Sequence, residues 1–249
     1  MKKLFAILFA LLLTLSLSAQ RQGDTKFGLV AGMNAAYPVG DDMEDFIDDW
    51  EDEYIDDYDD MEQFDTEGGV NPRIGMHLGA SFDYFLADNV ALSSGIIYSQ
   101  KGYVMRQKTE RDDYLVDYSQ DIRLATQLDY IDIPIGIKYV TDEGFEISGG
   151  LIVSILASDK VNGSYEYEED GTQNDDYYDD YFDDIDDYED MWDEDPEERL
   201  TGFQAAVGYT FNEKFTISFK IQKTSNFGDN DYGDDNQNLT LQLSTGFSF

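Results

Sequence analysis

Carboxylates dominate the chemistry this chain could do. Residues 41–67 hold sixteen Asp and Glu in twenty-seven positions, residues 165–198 hold nineteen, and neither window contains a Lys or Arg. Carboxylate oxygens are the ligands calcium and magnesium prefer. A loose divalent-cation surface is therefore expected on Asp48, Asp49, Asp52, Asp56 and Asp59 of the first window and Asp179, Asp183, Asp186 and Asp187 of the second. A dedicated calcium cage is not expected. The stretch DNDYGDDNQ at 229–237 places its glycine fifth and has no Glu at the twelfth position, where a helix–loop–helix site needs a sixth-position glycine and that Glu.

Other chemistries find little material. There is one histidine, His77, and no cysteine, which excludes disulfides and thiolate metal sites. No phosphate-cradling glycine loop or nucleophile elbow is present. Paired-carboxylate catalysis needs two acids in different environments, and thirty-five interchangeable acids do not supply that. The chain reads as non-enzymatic and cofactor-free, apart from calcium or magnesium at the acidic segments. Its formal net charge of −38 excludes nucleic acid as a partner and favours cations or basic protein surfaces.

The elements that carry these residues follow from periodicity. MKKLFAILFALLLTLSLSAQ opens the chain: two lysines, an apolar run, then small residues, the pattern of a signal peptide over 1–19 that leaves 20–249 as the mature protein. Beyond it the body alternates. FTISFKIQ at 215–222 sets Phe215, Ile217, Phe219 and Ile221 against Thr216, Ser218, Lys220 and Gln222, and period two is a strand with unlike faces. The same test finds strands at 26–36, 73–86, 90–105, 130–139, 145–160, 200–211 and in the terminal LTLQLSTGFSF, eight in all. Tight turns at 87–89, 141–144 and 212–214 alternate strictly with long links at about 37–71, 106–125, 161–198 and 226–236.

Strict alternation of short turns and long loops is the pattern of an all-β, eight-stranded antiparallel up-and-down transmembrane barrel, its N-terminus periplasmic and its long loops extracellular. A soluble barrel of lipocalin type is the alternative that the strands alone would also fit. The polar faces place Lys26, Arg73, His77, Asp83, Asp132, Lys138, Glu146 and Lys220 in the lumen, with His77 expected to bond neighbours such as Asp83 or Glu146. Eight strands leave room for side chains and no more, so the lumen is expected to be filled. Phe247 and Phe249 fit a terminal signal read by barrel assembly machinery, and outer-membrane lipid is the expected neighbour of the apolar face. Within the acidic windows Met43, Phe46, Trp50, Tyr54, Tyr58 and Met61, and Tyr178, Tyr181, Ile185, Tyr188 and Met191, recur at helical spacing. The loops are expected to be partly helical and to cap the barrel mouth.

KFGLVAGMN after the leader, YSQKGY at 98–103, LDYIDIPIGIKY at 128–139 and FEISGGLIVSILAS at 145–158 resemble the PorT-like outer-membrane β-barrel family of Bacteroidota. The likeness spans the strands and stops at the acidic windows. It implies an eight-stranded outer-membrane barrel without catalytic residues. It also implies one alternative to a surface-binding role, an accessory of a protein secretion apparatus; a small transport barrel is a further alternative, independent of the likeness.

Overall fold

A computed structural model describes residues 23–39, 65–112, 117–169, 172–173, 199–226 and 237–249. Among these, nine strands run β1 Thr25–Val39, β2 Asp65–Ala87, β3 Val90–Asp112, β4 Asp117–Val140, β5 Phe145–Glu169, β6 Thr172–Gln173, β7 Arg199–Phe211, β8 Phe215–Asn226 and β9 Gln237–Ser248. Eight of them form a closed ring in the order β4-β3-β2-β1-β9-β8-β7-β5, and the β4–β5 pairing shuts it. The two-residue β6 pairs only with Glu168 and Glu169 at the far end of β5. Every ladder is antiparallel.

The tight turns and both described chain ends gather at one end of the ring. Gly23 N–H donates to the Phe85 carbonyl and Phe249 N–H to the Phe27 carbonyl, each at 2.8 Å. The β1–β9 seam runs in register from Gly28–Ser248 to Val39–Gln237, so no strand edge is left open around the ring.

The faces decide what surrounds the ring. Met33, Ile74, Met76, Leu78, Ile96, Leu151, Phe203 and Leu243 are each more than half exposed, while Lys101, Asp132, Gln222 and Gln242 lie inside at 1% or less. A water-soluble barrel has the opposite arrangement, and an apolar belt of this extent on all sides requires hydrocarbon around it. The lipocalin-type alternative fails on this point.

Strand lengths depart from the expected pattern. β2, β3, β4 and β5 run for 23, 23, 24 and 25 residues, against 15, 13, 12 and 12 for β1, β7, β8 and β9. Spanning a bilayer takes about 9–11 tilted residues. The surplus on β2–β5 stands beyond the long-loop rim as a four-stranded blade. The link expected over 106–125 is therefore mostly strand, with only 113–116 between β3 and β4. The first acidic link starts later and ends earlier than 37–71, and the second starts later than 161 and ends at 198 as expected. Charged residues at alternate positions hid the period: Met105, Gln107 and Thr109 are buried where Arg106 and Glu110 are exposed. The leader, Met43 to Met61, Tyr178 to Met191, the expected cation ligands Asp48, Asp49, Asp52, Asp56, Asp59, Asp179, Asp183, Asp186 and Asp187, and most of 229–237 all lie outside the described residues.

One turn carries backbone strain. Between β7 and β8, Asn212 and Glu213 hold φ of 50° and 61°, and Lys214 N–H closes on the Phe211 carbonyl at 3.1 Å. Two consecutive positive φ values match the twist of a two-residue hairpin and favour Asn-Gly. Asn tolerates the left-handed region; Glu pays for it with its Cβ. Glu213→Gly is expected to stabilise the folded barrel by about 0.5–1 kcal/mol, read as a higher urea midpoint in detergent micelles. An unchanged or lower midpoint contradicts the turn assignment.

Candidate functional site

The inward positions of all eight ring strands meet in one polar interior. At its middle, β1 is crossed by a side chain. Gly32 pairs with His77 on β2 and with Ser244 on β9, and His77 reaches over it to place Nε2 2.8 Å from Ser244 Oγ. A Cβ at position 32 would lie 2.7 Å from the His77 ring and 2.0 Å from the Leu243 carbonyl, so this crossing needs a residue without a side chain. His77 Nδ1 lies 3.2 Å from Asn34 Oδ1. Asn34 Nδ2 donates in turn to Ser99 Oγ at 3.3 Å and to the Gln100 carbonyl at 2.5 Å.

A buried ion pair adjoins this chain. Lys101 Nζ donates to Asp132 Oδ1 at 2.9 Å and to Ser154 Oγ at 3.2 Å, and Ser154 closes the triangle with a 2.5 Å bond to Asp132. The ammonium also stands 5.1 Å from the Tyr130 ring centroid, within cation–π reach. Toward the tight-turn end, Lys138 Nζ donates to Asp83 Oδ2 at 2.7 Å and lies 3.8 Å from Glu146. Thr210 donates to Glu146 and shares a 2.6 Å bond with Thr216, while Gln222 and Gln242 exchange two 3.5 Å bonds between β8 and β9. Through these contacts every ring strand is tied to another by an inward side chain.

Seven of the eight lumen residues read from the sequence lie in this interior. His77, Asp83, Asp132, Lys138 and Glu146 are members of the network. Lys26 is half-buried opposite Asp83, and Lys220 is half-buried between Ala206 and Gln242. The expected lumen place of Arg73 is corrected: it sits at the register shift between Pro72 and His77, where parity is broken. It donates to the Lys101 carbonyl at 2.6 Å, and its guanidinium stands 3.9 Å from Asp129 on the outward face. The expectation that His77 bonds Asp83 or Glu146 is corrected to Asn34 and Ser244. Asp83 lies six residues further down β2, about 20 Å at ~3.3 Å per residue, beyond the reach of an imidazole.

Lys101 was missed, although it is the most buried cation of the interior. It stands in YSQKGY with the parity of Ala91, Ile97 and Ser99, all of which point inward; counting by twos from Ala91 would have found it. No group of three or more metal-ligating side chains occurs among the described residues. The arrangement holds charge in place and offers no nucleophile–base pair open to a substrate: His77 is 2% exposed.

Removing one partner of a buried ion pair strands the other. Asp132→Ala is expected to cost about 3–5 kcal/mol, seen as loss of the heat-modifiable band or a much lower urea midpoint. The double variant Lys101→Met with Asp132→Leu, which strands no charge, should recover most of it. Equal losses in the single and double variants contradict the pairing.

A family model described as "Outer membrane protein beta-barrel domain" matches residues 19–222. No curated protein matches by sequence. Among solved structures, the attachment invasion locus protein Ail of Yersinia pestis aligns with 92% of this chain and 99% of its own at 11% identity and TM-score 0.40. OprG of Pseudomonas aeruginosa aligns with 93% and 99% at 11% identity and TM-score 0.35. Neisserial surface protein A aligns with 90% and 97% at 8% identity and TM-score 0.38. These scores are low, and the fold is read from the strand pairing itself. With four-fifths of its length matched by that one model and its apolar side turned outward around a closed ring, the chain belongs to the outer membrane protein β-barrel family.

Proposed function

We propose that this outer-membrane barrel is non-enzymatic and closed to solutes, and that its work is done at its long-loop end by the acidic segments. The observation that carries this reading is the belt of interior contacts linking all eight strands, from Asn34 and His77 through Lys101–Asp132 to Gln222–Gln242. An eight-stranded barrel has no spare diameter once such side chains fill it. The long loops are extracellular and the tight turns periplasmic. Asp48, Asp49, Asp52, Asp56, Asp59, Asp179, Asp183, Asp186 and Asp187 collect calcium or magnesium, or hold a basic protein surface, as a screened field of carboxylates.

Two further readings belong here. Phe249 and Phe247, whose rings stand edge to face with centroids 5.4 Å apart, close the β1–β9 seam and present the terminal aromatic to barrel assembly machinery. The chain also falls with PorT-like barrels: YSQKGY contributes Lys101 and LDYIDIPIGIKY contributes Asp132, so two of the four motifs behind the likeness supply the two halves of the buried ion pair.

Planar-bilayer recording of the purified protein is expected to show no large, steady conductance; an open channel would sink the closed-lumen reading. Calorimetric titration with calcium is expected to show binding that disappears when the carboxylates of residues 41–64 and 174–198 are replaced by their amides. That replacement keeps both connections at full length and leaves β2 and β5 unchanged, so the heat-modifiable band should remain. Calcium binding that survives the replacement moves the site to the barrel.

A further inference from the structure

The blade carries a feature that neither the lumen nor the acidic loops explain. At one level across it, Gly69, Arg106, Arg123 and Ser164 are successive register partners on β2, β3, β4 and β5. Two arginines thus stand directly opposite each other on adjacent strands, a like-charge pairing that destabilises a sheet unless an anion lies between them. One anion is present: Arg106 Nε and Nη2 donate to the two carboxylate oxygens of Asp121 at 3.0 and 2.5 Å. That contact holds the Asp121 carboxyl below the usual carboxylate range. Lys108, next on the same face, is paired with Glu110. Among the described residues no carboxylate lies within ion-pair distance of Arg123, and its side chain is exposed.

Arg123 and the Arg106–Asp121 pair border a pocket of about 440 Å³, within the range of small-molecule sites. Pro72 and Val104 give it an apolar side; Asn71 and Ser164 give it an amide and a hydroxyl. The Arg123 guanidinium beside a mixed apolar and hydrogen-bonding wall suits a phosphorylated sugar: guanidinium grips phosphate in a fork, the ring stacks on the apolar side, and its hydroxyls meet the polar groups.

Position identifies the source of that sugar. β4 keeps unbroken register with β3 from Ile97–Asp132 to Asp112–Asp117, so Arg123 shares the outward face of Ile135 and Ile137. On that face the apolar belt ends at Asp129, whose Oδ2 accepts the Tyr98 hydroxyl at 2.5 Å. Arg123 is six residues beyond it, about 20 Å along the strand, or ~15 Å along the membrane normal at a tilt of ~40°. A phospholipid headgroup layer is only about 5–8 Å thick. The pocket therefore lies above glycerophosphate and at the height of sugars attached to the outer leaflet. We propose that the outer face of the blade binds a phosphate-bearing sugar of an outer-leaflet glycolipid, with Arg123 as the phosphate-binding residue. This rests on the extracellular orientation of the long loops.

The test uses full-length protein in detergent micelles, which have no sides, so its result does not depend on orientation. Binding is read by native mass spectrometry or calorimetry with a glycolipid that carries phosphate on oligosaccharide sugars beyond its acylated disaccharide, the same glycolipid without those phosphates, phosphatidylglycerol and inorganic phosphate. The phosphorylated glycolipid is expected to bind tightest, and Arg123→Gln to weaken it at least about tenfold, the scale of a charged hydrogen bond. Arg123→Lys should keep part of the affinity, and the dephosphorylated form should bind like the Gln variant. Heat-modifiable mobility establishes that each variant is folded. Equal binding by wild type and Arg123→Gln overturns the proposal, as does phosphatidylglycerol or inorganic phosphate binding as tightly as the glycolipid. Orientation is tested separately. The chain has no cysteine, so Ser119→Cys near the blade tip should react with an impermeant maleimide on intact cells and Asp142→Cys in a tight turn should not. The reverse pattern removes the membrane-facing role even where binding in micelles persists.

Discussion

Hydrocarbon offers no partner to a backbone amide, and that constraint organises the whole molecule. Each N–H and C=O inside the bilayer must be met by another strand, so a sheet can cross only by closing on itself. The last interaction to form in chain order is the β1–β9 seam, where twelve residue pairs bring the first strand against the last. The bond from Phe249 N–H to Phe27 fixes the end of that seam. The remaining features follow. Closure forces an inside and an outside, period two sends alternate residues to each, and a slip of one residue would turn Lys101 and Lys138 to lipid and Ile74, Ile96 and Ile217 to the lumen.

The interior then has to satisfy its own polar groups within a narrow space. Strand neighbours alone do not do this. The informative contacts skip a strand: His77 over β1 to Ser244, Asn34 over β2 to Ser99, Lys138 over β3 to Asp83. Each shortcut spans the curvature of the wall, and at Gly32 the intervening strand gives up its side chain to allow it. A network of this kind replaces the hydrophobic core that a soluble domain would use. Its energetic stakes are high because an unpaired polar group there has no water to fall back on.

Much of this was legible in the sequence because period two is a local property. The strands, the three tight turns, the outward Ile and Phe rows and the inward placement of His77, Asp83, Asp132, Lys138 and Glu146 all come from counting by twos. Height along the barrel is not local. It depends on how far each strand has slid past its neighbour, which is set by the turns and by shifts such as those between Pro72 and His77 and between Asp129 and Tyr130. His77 and Asp83 share a face and a strand, so parity could not say which lumen groups each would meet. The blade was hidden for another reason. Above the apolar belt neither face meets lipid, so Arg106, Lys108 and Arg123 stand at positions that in the belt would be Ile, and the alternation on which strand reading depends loses its contrast.

The same depth dependence accounts for where the charge sits. A carboxylate on the lipid face costs free energy that grows toward the bilayer midplane, and the lumen of eight strands admits few ions, each needing a partner. Asp83, Asp132 and Glu146 occupy it beside Lys26, Lys101, Lys138 and Lys220, so the barrel interior is close to neutral. A chain with 54 acidic residues has no room for most of them in such a wall. They must be carried where water and counter-ions reach them, beyond the strands. The concentration of 30 acids in two connections of one end is thus partly imposed by the bilayer. Their number is not, since nothing in the wall requires so many.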